Sequence, residues 1–271
     1  MAIPAIAIAA LLLAGTLACL RWFSADVYDM IIVWMTSKWY EVVFSRLKDG
    51  DRVLDVGIGT ATALVKNKAL LLKKRLSVVG IDYEAAYVRK AEAVLREAEL
   101  LRPAPAGTEG YRPGEFYCRV LQRDIYDPGL AALCTQFDDA SSSTASAAAA
   151  APASVPEDER FDAVYFSGSI SLMPDPAAAL RAVAPLLKQK EGRVYITQTF
   201  QKQRSPVVAA IKPLLKYVTT IDFGQLTTIE DLGKIISSVD DVFESVTNEP
   251  IEGSLDTWAQ QARLIILRGR K

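Results

Sequence analysis

The stretch VLDVGIGTATAL, residues 53–64, decides the fold. Its opening is an apolar, strand-like run that carries one carboxylate, Asp55. A turn with two glycines, Gly57 and Gly59, follows, and then small residues suited to opening a helix. A strand, a glycine turn and a helix make a nucleotide-binding corner.

Beyond residue 50 the pattern alternates. Residues 51–56, 76–82, 115–124, 161–168 and 191–200 read as strands. Helix-length segments follow at 60–74, 84–101, a short one near 129–137, 175–190, 205–218 and 227–239. Strands separated by helices predict a mostly parallel α/β sheet covered on both faces. Residues 241–249 and 262–270 read as a closing strand pair. Their connection lacks a clear helix, so the last strand is expected to run antiparallel to its neighbour. One segment breaks the rhythm. Residues 139–156, DASSSTASAAAAAPASVP, are of low complexity and read as a disordered surface insertion without chemistry.

The chain of 271 residues suits one full α/β domain. Its net charge of -1 gives no electrostatic reason to expect nucleic acid as a partner. Histidine is absent, which removes the commonest general base and the commonest metal ligand. Cys19, Cys118 and Cys134 are scattered and odd in number, which fits a reducing compartment and no metal motif.

Hydrophobic residues make up 51% of the chain, and much of the excess lies at the front. Residues 1–20, MAIPAIAIAALLLAGTLACL, carry no charged side chain. As a helix they would span about 30 Å, one hydrocarbon core. A secretory signal would open with a basic region, which is missing. The expectation is a single-pass membrane anchor over 1–21, with a cleaved targeting segment and a buried helix as alternatives. Arg21, Lys38, Arg46 and Lys48 follow the run, which puts the catalytic part in the cytosol.

Residues 22–50 form a second unit, an aromatic amphipathic helix and linker. Positions 27, 30, 31, 34, 35 and 42 approximate one helical stripe. Trp22, Tyr28, Trp34, Trp39 and Tyr40 are aromatics of the kind found at membrane surfaces. The segment reads either as a core helix or as a lid facing the membrane beside the active site.

The glycine turn separates two cofactors. A dinucleotide corner needs a third glycine where this chain has Thr62. A pyrophosphate there would also meet Asp55 as like charge against like charge. S-adenosylmethionine, with an ammonium and a sulfonium, would be attracted instead. Asp82, at the next strand end, suits ribose hydroxyls or a helix cap. Asp124 could accept the adenine amino group, with Ile125 and Tyr126 bordering the ring, or it could be another cap.

Taken together, VLDVGIGTATAL, VVGIDYEAAYVRKAE, LQRDIYD and FDAVYFSGSISLMPDP resemble the class I S-adenosylmethionine-dependent methyltransferases. The likeness is to the branch containing ubiquinone/menaquinone-biosynthesis and small-molecule or lipid methyltransferases, and it covers about residues 27–269. It implies a Rossmann-like, seven-stranded, mostly parallel sheet with helices on both faces and an antiparallel last strand. It implies Asp55, Gly57 and Gly59 around the methionine moiety, Asp82 on the ribose and Asp124 at the adenine, with Tyr83, Ile125 and Ser167 as further cofactor-binding candidates. The family's third glycine is Ala61 here. Ser167, Gly168 and Ser169 follow the fourth strand where the family meets substrate, and Tyr28 is a possible lid over the cofactor. Ser167, Ser169 and Tyr28 are therefore the catalytic candidates. No metal is implied. The chemistry expected is in-line methyl transfer by positioning, on a small or lipid-like acceptor. The alternatives are a protein methyltransferase, a non-catalytic binding module and a nicotinamide-dependent reductase.

Overall fold

The computed structural model describes residues 32–101, 116–131, 155–203 and 228–270. The apolar run 1–20, Tyr28, the helix expected at 205–218 and nearly all of the insertion 139–156 lie outside them. Among the described residues no helix is long and apolar enough to cross a membrane.

Seven strands form one sheet in the order β3-β2-β1-β4-β5-β7-β6. They are β1 (Arg52–Val56), β2 (Ser77–Asp82), β3 (Cys118–Gln122), β4 (Ala163–Ser167), β5 (Arg193–Gln201), β6 (Phe243–Pro250) and β7 (Gln260–Gly269). The first five pair in parallel. β7 runs antiparallel between β5 and β6, as the missing crossover helix predicted. Every residue of β1 and β2 is buried, which explains their near-continuous apolar sequences. The strand order reverses between β1 and β4, so their carboxyl ends open the crevice where ligands bind in such sheets.

The helices are α1 over 32–46, α2 (Thr62–Val65), α3 (Lys68–Lys74), α4 (Ala85–Glu97), α5 (Pro176–Val183) and α6 (Ile229–Ser237). The single helix expected over 60–74 is two. Asn67 breaks it, giving its amide to the Ala63 carbonyl and to the Ser37 carbonyl on α1. α5 starts at Asp175, whose side chain accepts from the Ala178 N–H, with Pro176 in the first turn. α6 carries a capping box from Thr228 and Asp231.

α1 is part of the core, and its buried stripe differs from the one expected. Met35, Trp39, Tyr40, Val43, Phe44 and Leu47 are buried, while Trp34 is 57% exposed and Val42 only half-buried. Trp39 and Tyr40 therefore pack on the sheet instead of facing a membrane. Positions 27, 30 and 31, which set the expected phase, lie outside the described helix. Polar ties fix α1 along its length. Trp39 Nε1 donates to Ser254 Oγ at 2.9 Å, and Arg46 pairs with Glu249 of β6. Lys74 Nζ donates to the Ser45 carbonyl at 2.8 Å.

This packing makes a prediction. Phe44→Ala should destabilise the domain by about 3–5 kcal/mol, the range for emptying a buried aromatic site. Trp34→Ala should stay within about 0.5 kcal/mol. Urea unfolding followed by circular dichroism measures both, and equal effects would contradict the assigned face.

Candidate active site

The glycine turn is gripped from two strands. Gly57 N–H donates to the Ile81 carbonyl of β2 at 2.8 Å. Gly57 has φ +75, and a β-carbon on it would lie 2.6 Å from Ser169 Cβ. Only glycine satisfies both demands. Ser169 is buried, and its hydroxyl donates to the Val56 carbonyl at the end of β1. Its one proton is thus committed to holding the loop, which gives Ser169 a structural role in this structure. Ser167, at the end of β4, and Gly168 are half-buried. Gly168 lies against Trp39 of α1: a β-carbon there would sit 3.3 Å from Trp39 Cζ3.

Gly59 also has a positive φ, +58, but a β-carbon on it would meet nothing within 4 Å. Bare backbone faces open space there, as a cofactor cradle requires. Ala61 is left-handed too, with φ 56 and ψ 5. A β-carbon in that region costs about 1–2 kcal/mol. The Ala61 methyl is buried, which returns about 0.8 kcal/mol.

Asp55 is fully buried, under α1. It does not stand at an open mouth, as its place at the strand end suggested. Tyr40 Oη donates to its Oδ2 at 2.5 Å, and its Oδ1 is buried with no hydrogen-bond partner among the described residues. Burial pushes the Asp55 carboxyl up to about 7; the Tyr40 hydrogen bond opposes this, and the Asp82 charge adds to it. The Tyr40 ring is wedged edge-on between Tyr165, with centroids 5.0 Å apart, and Phe44, at 5.4 Å. Tyr165 Oη hydrogen-bonds Thr197 Oγ1 at 2.8 Å.

Asp82 ends β2 and links two elements. Its Oδ2 accepts from Gly59 N–H at 3.1 Å and its Oδ1 from Glu84 N–H at 3.0 Å, just before α4. The N-cap of α4 is Glu84, which has no side-chain cap hydrogen bond, so Asp82 closes a turn before the helix and does not cap it. Each oxygen still has a lone pair for a further donor. Burial raises the Asp82 carboxyl, against those N–H bonds. Tyr83 beside it is 73% exposed.

Asp124 is exposed, and its Oδ1 closes a local turn with the Tyr126 N–H at 3.0 Å. Ile125 is buried, in the same hydrophobic cluster as Leu121 and Leu130. Tyr126 Oη bridges to the Asp175 backbone, donating to its carbonyl at 2.9 Å and accepting from its N–H at 3.1 Å. The turns after β3 and β4 are thereby tied together.

The structure thus gathers Asp55, Gly57, Gly59 and Asp82 into one corner, with Ser167 on the neighbouring strand. Tyr40, Tyr165 and Thr197 complete the surroundings of Asp55. The sequence marks Tyr40 as an aromatic of either a core or a membrane-facing helix; its hydroxyl's task shows only in three dimensions. Cys118 is buried and free, and among the described residues no group of three or more ligating side chains could hold a metal.

A family model described as a methyltransferase domain matches residues 35–235. The chain belongs to that family, in agreement with the class I methyltransferase resemblance of its motifs. A phosphatidylethanolamine N-methyltransferase from Cereibacter sphaeroides is 23% identical over 181 residues, covering 67% of this chain and 66% of that enzyme. The chain thus matches just under two thirds of that relative's length. Among solved structures, the cyclase SpnF superposes with a TM-score of 0.55 at 16% identity, over 86% of this chain and 80% of that one. The mitomycin 7-O-methyltransferase MmcR gives a TM-score of 0.53 at 11% identity, over 88% of this chain and 54% of that one. At these identities the superpositions establish the fold alone.

Two predictions follow from the corner. The folded Asp55 holds a proton between about pH 4 and pH 7 that the unfolded chain has released, so this group's contribution to stability falls as pH rises through that window. Asp55→Asn should flatten the decline and leave the variant more stable than the parent at pH 8. Asp51 and Asp82, also raised by burial, keep part of the slope. Thermal melts from pH 5 to pH 8 measure this, and parallel curves would contradict it. At Ala61, strain relief and methyl loss nearly cancel. Ala61→Gly should change stability by less than about 1 kcal/mol, and Ala61→Val should lower it by more, since a β-branched residue resists positive φ. Urea titrations would refute this if valine were tolerated as well as glycine.

Proposed function

We propose that the protein is an S-adenosylmethionine-dependent methyltransferase acting on a small or lipid-like acceptor, anchored to a membrane by residues 1–20. The observation that carries this reading is the corner itself. Among the described residues, Asp55 has one buried, unpartnered oxygen and Gly59 leaves bare backbone against open space, while Asp82 ends the neighbouring strand. These residues fit the methyl donor. Asp55 Oδ1 would take the ammonium of its methionine part, the backbone near Gly59 would lie along it, and Asp82 would accept from the ribose hydroxyls. Two carboxylates so close disfavour a diphosphate, which counts against the nicotinamide reading. By the family resemblance, Asp124 would reach the adenine and Tyr83 would lie with Asp82 in the cofactor site.

S-adenosylmethionine supplies a methyl group already activated on a sulfonium. The chain's own work is then to align the acceptor and exclude water. This is compatible with a sequence lacking histidine. Ser167 and Gly168, at the end of β4 beneath Trp39, would line the transfer point. The lipid-like acceptor is supported by two things: the curated relative named for a phospholipid, and the uncharged run at residues 1–20.

Calorimetry tests the cofactor. S-adenosylhomocysteine should bind the full chain and NAD should not; the reverse would refute the reading. Asp82→Ala should weaken S-adenosylhomocysteine by about 1–3 kcal/mol, the cost of losing a charged acceptor. It should also lose about 1–3 kcal/mol of stability as the Gly59 and Glu84 N–H groups lose their acceptor. Lost stability with an unchanged dissociation constant would make Asp82 a structural acceptor alone.

A further inference from the structure

We infer that Tyr40 is a positioning residue for the donor pocket, coupling the docking of helix α1 to occupation of that pocket. This rests on the reading of Asp55 given above. A phenol has one proton, so Tyr40 can hold only one carboxylate oxygen. It holds Oδ2 and leaves Oδ1 free for a ligand. The hydroxyl cannot swing away, because Tyr165 and Phe44 clamp the ring. Tyr165 makes no hydrogen bond to Asp55; its hydroxyl shares one with Thr197 Oγ1.

The groups acting on Asp55 come from four elements: Tyr40 of α1, Asp82 of β2, Cys118 of β3 and Tyr165 of β4. Burial pushes both phenols and the thiol up, so all three stay neutral at physiological pH. The one charge among these groups is Asp82, and it repels. An ionised Asp55 therefore has a single neutral hydrogen bond and no opposite charge among them, a costly state that a cation at Oδ1 would relieve.

If α1 undocks, Asp55 loses its one hydrogen-bond donor among the described residues, and the pocket loses a fixed Oδ1. By linkage, a ligand that binds the ordered carboxylate also stabilises the docked helix.

The test uses the full chain and S-adenosylhomocysteine. Tyr40→Phe keeps the ring and removes only the hydroxyl. Its dissociation constant should rise about tenfold, the scale of one charged hydrogen bond. The pH at which affinity is half lost should move upward, because Asp55 without its donor ionises later. Asp55→Asn should weaken binding and flatten the pH profile, and in that background Tyr40→Phe should add nothing further. A merely structural tyrosine would give additive losses and an unmoved profile, overturning the inference. If Asp55→Asn weakens binding and Tyr40→Phe does not, only the role of Tyr40 falls. If Asp55→Asn leaves binding intact, the contact assigned to Asp55 falls too, and the inference with it. Should Tyr40→Phe fail to fold, hydrogen exchange on the unmodified protein decides. Saturating S-adenosylhomocysteine should slow exchange across residues 32–46 several-fold, and unchanged exchange overturns the coupling.

Discussion

The corner depends on one buried carboxylate at the end of the first strand. Asp55 lies in the middle of the sheet, fully covered, with a tyrosine on one oxygen and no partner on the other among the described residues. A group so placed resists ionisation unless a positive ligand arrives. On the function proposed above, the site would be ready for a cation before any cation is present. α1 makes that possible, since it supplies both the cover and the hydrogen bond.

Around this carboxylate the backbone is shaped by close contacts. Gly57 lies against Ser169, whose hydroxyl pins the Val56 carbonyl, and Asp82 draws the Gly59 N–H toward β2. Three adjacent strands thus hold one turn, and small movements of β4 or β2 would be felt at the ligand. The left-handed Ala61 shows the same turn geometry maintained without the usual glycine, its strain offset by a buried methyl.

Much of this was legible in the sequence, for physical reasons. Strands buried on both faces write themselves as apolar runs, and helices between them impose parallel order, so the sheet and its reversed β7 could be read ahead. Asp55, Gly57, Gly59 and Asp82 were legible because strand ends and positive φ demand particular residue types. What failed was side-chain direction. Periodicity set the phase of α1 from positions N-terminal to the described helix, and so put Trp34 inside where it is exposed. Ile125 and Ser169 lie beside a ligand edge in sequence, yet one faces the core and the other the backbone. The Tyr40–Asp55 bond joins residues 15 apart through a helix and a strand, and no local pattern encodes such a pairing.

The account stands or falls on whether a cation meets Asp55. Carbon-13 NMR of the labelled aspartate carboxyls reads this directly, with Asp55→Asn used to assign the signal. In the free protein the Asp55 carboxyl should titrate near 7. With S-adenosylhomocysteine bound, its ammonium should carry that midpoint well down toward the ordinary carboxylate range. A midpoint unmoved at saturation would show that the ligand's positive group lies elsewhere, and the electrostatic basis of the site would be lost.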